Sequence, residues 1–178
     1  MQALETIAAS FPEAAKDIRM NLRAVFADST LAPRARWLVA LTTAHVLGDD
    51  ALRDAVLADG APALDDAAKD DAQAATALMA MNNVYYRFRH MIGKAEYERL
   101  PARLRMARIA APKTSKAEFE LASLAASAIT GCEMCVRAHE HSLVELGVPA
   151  EQIHDAVRIA AVLHAARASR RLAEVAST

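Results

Sequence analysis

Aromatic residues make up only 4% of this 178-residue chain, and it holds just five glycines and two cysteines. With aromatics so scarce and apolar residues still at 54%, Ala, Leu, Val and Ile must fill the core. Plentiful alanine with little glycine suits closely packed helices, because Ala has the best helix propensity and the smallest side chain that is not Gly. A chain of this length buries roughly 70% of its unfolded surface, which removes the need for a stabilising disulfide or structural metal. It fits one domain spanning residues 1–178. Charge of one sign is missing too: 21 basic and 22 acidic residues leave a formal net charge of -1. That balance argues against a nucleic-acid footprint, which needs a clustered basic surface. Arg99, Arg103, Arg105 and Arg108 do gather, and they read as a solvated helix face.

Long apolar runs are also absent. No stretch approaches the roughly 18 residues needed to span a bilayer. Met1 to Met20, with Glu5, Glu13, Lys16 and Asp17, lacks the basic start and apolar run of a signal peptide. The expectation is a cytoplasmic protein with no membrane segment. In that reducing compartment, two cysteines three residues apart read as redox or metal chemistry rather than as a staple.

What is present is helical, and no convincing strand is found. Ser10-Phe11-Pro12 opens a helix to about Ala27, with Ile18, Leu22, Val25 and Phe26 on its apolar side. Pro33 starts another, carrying Trp37, Leu38, Leu41 and Ala44 and ending near Gly48. Asp49 or Asp50 caps a short helix to about Ala58, and Asp65 caps one through Leu78 and Met79. The run Met81-Asn82-Asn83-Val84-Tyr85-Tyr86-Arg87 then stacks polar and aromatic residues where the Ala-rich pattern stops. A short amphipathic turn after Gly93 leads to Pro101, followed by a piece from Leu104 to Ala110. Ser115 and Glu118 form a capping box for a helix to Gly131. A further helix runs from Cys132 to Leu146, stopped by Gly147, and Pro149 opens the last, to about Val175. The fold class is all-α, with the CxxC at a helix N-terminus.

Chemistry concentrates at that N-terminus. Unpaired N–H groups and the macrodipole there favour a thiolate at Cys132. Taking Cys132 as zero, Cys135 falls at about 300° and His139 at about 340° on helical spacing. All three share one narrow face. An i,i+3 pair lies within the Cα separation that a disulfide tolerates, so Cys132 and Cys135 can bridge. Cys135 and His139 are i,i+4 neighbours, close enough for the imidazole to take the thiol proton. Local physics leaves the attacking sulfur open: the dipole favours Cys132, proximity to His139 favours Cys135. Glu120 is the candidate carboxylate to orient the imidazole, since the Gly131 junction folds its helix back against the cysteine helix. It reads equally well as a surface residue beside Glu118.

Two blander readings compete. The cysteines could be inert core residues, or half of a zinc site. His141 would then be the tempting further ligand, but it points about 180° from Cys132. The remaining histidines, His45, His90, His154 and His164, are scattered singly. No metal and no tightly bound cofactor are expected.

The run Gly131-Cys132-x-x-Cys135-x-x-Ala138-His139-Glu140-His141, preceded by Glu120, resembles the alkyl hydroperoxide reductase D (AhpD) family of the carboxymuconolactone decarboxylase-like superfamily. Phe11-Pro12-Glu13, Lys16-Asp17-Ile18, Asn21-Leu22, Phe119-Glu120-Leu121 and the Met81 to Arg87 run look like family landmarks, so the resemblance covers nearly the whole chain. It implies an all-helical homotrimer that reduces organic hydroperoxides, or a partner peroxiredoxin of the AhpC type. Dihydrolipoamide carried on a lipoylated acyltransferase would be the electron donor. It also implies roles: Cys135 as the reactive thiol, Cys132 as proton donor and resolving thiol in a Cys132–Cys135 redox disulfide, and His139 oriented by Glu120 as the base side of a proton relay. One departure is Met134, where members of the family can carry His between the cysteines. Two rival functions stand beside this one: a decarboxylase of a small lactone acid, and a non-catalytic thiol redox sensor.

Overall fold

The computed structural model describes residues 1–176, which contain ten α-helices, a single 3-10 turn and no strand. Two helices are buried on every side and form the centre. They are α3 (Pro33–Leu47) and α8 (Lys116–Thr130), which pack against each other. A helix apolar all round belongs in a core, and Ala35, Ala40, Ala44, Ala122, Ala125 and Ala126 let the neighbouring backbones approach closely. Two long helices, α5 (Asp66–Ile92) and α10 (Ala150–Ala176), flank the central pair, and α4 (Asp50–Gly60) packs on α3. The cysteine helix α9 (Glu133–Glu145) lies across α8 and α5.

The N-terminal region differs from the expected single helix starting at Ser10. An additional helix, α1 (Gln2–Ala9), precedes it, and α2 (Lys16–Ala27) begins only after the 3-10 turn Glu13–Ala15. The signal for α1 lies far along the chain: the Asp59 carboxylate on α4 accepts the N–H groups of Ala3 and Leu4 at 3.0 and 2.8 Å. Leu4 and Ala8 are buried beneath it. The caps read from nearby residues are in place. Asp49 accepts the Leu52 N–H, Asp65 accepts the Ala68 N–H, and the Ser115–Glu118 box is reciprocal. Beyond Met79, α5 continues through the polar and aromatic run to Ile92.

The expected solvated arginine face is corrected. Helix α6 (Ala95–Arg99) ends before Pro101, residues 100–106 are not helical, and α7 is only Ala107–Ala110. Arg108 is turned inward, ion-paired with Asp70 and hydrogen-bonded to Asp71 through Nε at 2.9 Å and Nη2 at 2.7 Å. Asp71 is fully buried and also accepts the Lys113 N–H, the Thr114 N–H and the Thr114 hydroxyl, the last two at 2.7 Å. One carboxylate on α5 thereby pins the segment that crosses from α7 to α8.

Burial alone would raise the Asp71 carboxyl, but the Thr114 and Lys113 donors and Arg108 outweigh it and hold it below its ordinary value of 3.8. A carboxyl lowered in the folded state contributes stability above its unfolded pKa, and that stability is lost as pH falls through the folded value. Asp71→Ala is expected to cost about 3 kcal/mol in urea unfolding at pH 7. In Asp71→Asn the loss of stability below about pH 4 should be shallower than in wild type, because one linked proton is gone. Equal slopes in the two proteins would show that Asp71 is not ionised in the fold.

Candidate active site

The site is built on the turn between α8 and α9. Gly131 sits in the left-handed region with φ 69° and ψ 35°, a conformation that residues with a Cβ adopt at a cost. Its N–H donates to the Ala128 carbonyl and the Cys132 N–H donates to the Ser127 carbonyl, both at 3.2 Å. This pair of bonds is a Schellman closure. It consumes the Cys132 N–H and leaves Cys132 extended, as the N-cap of α9. No side-chain oxygen caps α9, so the Cys132 side chain stands where Ser or Asp usually accepts the free N–H groups.

Residues of α5 brace this turn. Arg87 donates to the Thr130 carbonyl at 2.6 Å, and the Asn83 amide donates to the Thr130 hydroxyl at 2.7 Å. Asn83 Oδ1 in turn accepts from Ser127 Oγ at 3.1 Å. The polar run that interrupts the Ala-rich pattern is thus the fastening between α5 and the end of α8.

Cys132 and Cys135 are joined as a disulfide with their Cα atoms 5.3 Å apart. Their surroundings differ. Cys132 is completely enclosed, whereas Cys135 lines a cleft of about 270 Å³ together with Asn82, Tyr86, Met106, Met134 and His139. His139 and Glu120 meet: His139 Nδ1 lies 2.5 Å from Glu120 Oε2. Glu120 is 2% exposed, and Lys116 Nζ pairs with its other oxygen at 2.6 Å. Burial would raise the Glu120 carboxyl, but the hydrogen bonds and charges of His139 and Lys116 outweigh it and hold it below the ordinary 4.5. Glu120 is therefore an ionised acceptor, which places the imidazole proton on Nδ1. His139 Nε2 rests 3.2 Å from the buried Met79 Sδ.

His141 turns away from the cysteines, exposed and 3.3 Å from Glu145. Among the described residues no group of three or more His, Cys, Asp or Glu is placed to hold a metal ion.

Comparison with known proteins finds relatives over nearly the whole chain. The carboxymuconolactone decarboxylase family profile matches residues 95–178. A protein of Anaeromyxobacter sp. (strain K) named alkyl hydroperoxide reductase AhpD is 53% identical over 177 residues, covering 99% of this chain and 95% of the relative. Proteins of the same name from Rhodospirillum centenum and Bradyrhizobium sp. are 47% and 45% identical, covering 92% and 90% of this chain and 88% and 89% of those relatives. The chain belongs to the AhpD family.

In this AhpD-family chain the structure brings together all four residues singled out in the sequence: Glu120 and His139 by hydrogen bond, Cys132 and Cys135 by disulfide. It adds five that were not given roles: Met79, Asn82, Asn83, Arg87 and Lys116. Lys116 was readable as the i−4 partner of Glu120 on one helix face. Met79 carried no signal, because a methionine in an Ala-rich helix reads as core.

If the Glu120–His139 pair activates Cys135, the reduced protein should report it. His139→Ala and Glu120→Gln are each expected to slow iodoacetamide labelling of Cys135 at pH 7 by about tenfold. Lys116→Ala should slow it less, since Glu120 keeps its charge. Unchanged rates in both of the first two variants would remove the pair from thiol activation.

Proposed function

We propose that the protein is an alkyl hydroperoxide reductase: a cytoplasmic antioxidant peroxidase that cycles Cys132 and Cys135 between dithiol and disulfide. One observation carries this reading. Cys135 faces a mostly apolar cleft while its disulfide partner Cys132 lies enclosed behind it and the Glu120–His139 pair is held alongside. The names of the relatives, and the absence of any helix among the described residues long and apolar enough to cross a membrane, are in keeping with it.

In this scheme Cys135 is the attacking thiolate, because it is the sulfur a substrate in the cleft can reach. It attacks the terminal oxygen of an organic hydroperoxide and becomes a sulfenic acid, while the alkoxide leaves with a proton supplied from Cys132. Cys132 then attacks the Cys135 sulfur, releasing water and forming the disulfide. Its place at the N-terminus of α9 favours the thiolate needed for that second attack. His139, oriented by ionised Glu120, takes and returns the proton through Nε2. Dihydrolipoamide on a lipoylated acyltransferase reduces the disulfide, and an AhpC-type peroxiredoxin is a second acceptor for the electrons.

A homotrimer belongs to the same reading. Val84, Phe88, Met91 and Ile92 recur at i, i+4, i+7 and i+8 on α5 and are all exposed, Met91 at 76%. Such an apolar stripe favours contact with another copy of the chain.

Steady-state reduction of cumene hydroperoxide is the primary test, with dihydrolipoamide, thioredoxin and glutathione compared as donors. Turnover should be at least tenfold faster with dihydrolipoamide, and Cys132→Ser and Cys135→Ser should abolish it. Cys132→Ser should trap a sulfenic acid on Cys135, visible by dimedone labelling and mass spectrometry. Peroxide-independent decarboxylation of a lactone acid surviving in the double serine variant would overturn the scheme. Phe88→Glu with Met91→Glu should convert a trimer to a monomer in light scattering; a wild-type monomer would remove the assembly from the reading.

A further inference from the structure

Asn82 has a polar atom with nothing to bind. The residue is 95% buried, at 5% exposure, and its Oδ1 is shielded from solvent without a hydrogen-bond partner. A buried carbonyl left unpaired is destabilising. Its neighbour Asn83 has both side-chain polar atoms engaged, so the two adjacent asparagines differ. Asn82 also lines the same cleft as Cys135 and His139. An orphaned amide oxygen on a residue in the wall of a cleft beside a reactive sulfur is the mark of a group whose partner is the ligand.

We propose that the Asn82 amide binds the peroxide group itself, and that the cleft takes hydroperoxides with bulky apolar tails. The inference rests on the peroxidase reading above. The chemistry of the two groups matches. A hydroperoxide carries one O–H donor on its terminal oxygen and an acceptor oxygen next to carbon, and a primary amide offers one acceptor and one donor. With the amide turned toward the cleft, Oδ1 accepts the terminal O–H and Nδ2 donates to the inner oxygen. A dithiol has only weak S–H donors and pairs poorly with such a group. Tyr86, Met106, Ile109, Met134 and Ala138 supply the rest of the wall, a surface suited to an alkyl or aryl tail.

The placement also serves the bond change. As the Cys135 thiolate attacks the terminal oxygen, the S–O bond forms and the O–O bond breaks. Sulfur is oxidised to the sulfenic acid and the inner oxygen is reduced to an alkoxide, which takes a proton from Cys132 to leave as the alcohol. In this pose the Nδ2–H of Asn82 would donate to the oxygen on which that negative charge grows, where a fixed donor lowers the barrier.

The test separates the two half-reactions by rapid mixing. Pre-reduced wild type, Asn82→Ala and Asn82→Asp are mixed with hydrogen peroxide, tert-butyl hydroperoxide and cumene hydroperoxide. Separately, their disulfide forms are mixed with dihydrolipoamide. Asn82→Ala should lose about 10- to 100-fold in the peroxide step, by the same factor for all three peroxides, because the contact is to the –OOH group they share. Asn82→Asp keeps the side-chain volume but not the donor, and should lose at least as much. Reduction by dihydrolipoamide should stay within about twofold, and the thermal midpoint of Asn82→Ala should not fall. A loss that grows with tail size would assign Asn82 to tail packing instead. Equal loss in both half-reactions, loss in the dihydrolipoamide step alone, or no loss in a reactive wild-type background would each overturn the inference while leaving the peroxidase reading intact. A wild type inert to all three peroxides would overturn that reading, and this inference with it.

Discussion

Both sulfurs owe their positions to the way α8 ends. The left-handed Gly131 and the two hydrogen bonds that close the last turn reverse the chain within one residue, so α9 starts directly against the helix it has left. That reversal brings His139, nearly two turns into α9, back beside Glu120, nearly three turns from the end of α8. It also spends the Cys132 N–H on the closure, holding that residue extended in front of a helix whose next N–H groups have no side-chain cap. A residue with a Cβ at position 131 would strain this conformation even though open space surrounds it. The bracing from Asn83 and Arg87 acts on the same turn from the other side.

The two carboxylates that matter most are both buried and both ionised, for the same reason. Asp71 and Glu120 are each surrounded by several donors, which offset the cost of taking a charge out of water. Their tasks differ. Asp71 collects donors from a segment that has little regular structure, and so fixes Arg108, Lys113 and Thr114, close along the chain to the cleft-lining Met106 and Ile109. Glu120 collects one donor from its own helix and one from α9, and so fixes a ring. Wall and chemistry of the cleft are thus each tied to the helical core by a single carboxylate.

What could be read from the sequence follows the range of the interactions involved. Caps made by residues three apart, such as Asp49, Asp65 and Ser115 with Glu118, were legible because donor and acceptor lie in one turn. The shared face of Cys132, Cys135 and His139 was legible from helical spacing, although Cys132 itself precedes the helix. Helix α1 was not, since the carboxylate that caps it is Asp59, more than fifty residues away. The inward turn of Arg108 failed for a similar reason: its partners are on α5, and a cluster of four arginines looks solvated until those partners are known. Glu120 stood between the two cases. Its distance from Gly131 suggested the fold-back, but only packing distinguishes a buried carboxylate from its exposed-looking neighbour Glu118, which itself binds Arg34 and Ser115.

The hydrogen-bonding state of His139 gives the site its direction. An ionised Glu120 can only accept, so Nδ1 carries the proton of that contact and Nε2 is the nitrogen that faces away from it. In the disulfide form Nε2 lies against the Met79 thioether, which has no proton to give and accepts one only weakly. A water or a carboxylate there would hold the ring more strongly. A sulfur atom leaves Nε2 close to uncommitted, so a thiol that appears when the disulfide is reduced competes for it against a weak partner. Met79 also touches Ser127, within the network that braces the Gly131 turn. The same soft side chain therefore joins the ring that moves the proton in the proposed scheme to the turn that sets the sulfurs. It needs only enough contact to keep the ring in place and too little to hold back its free nitrogen.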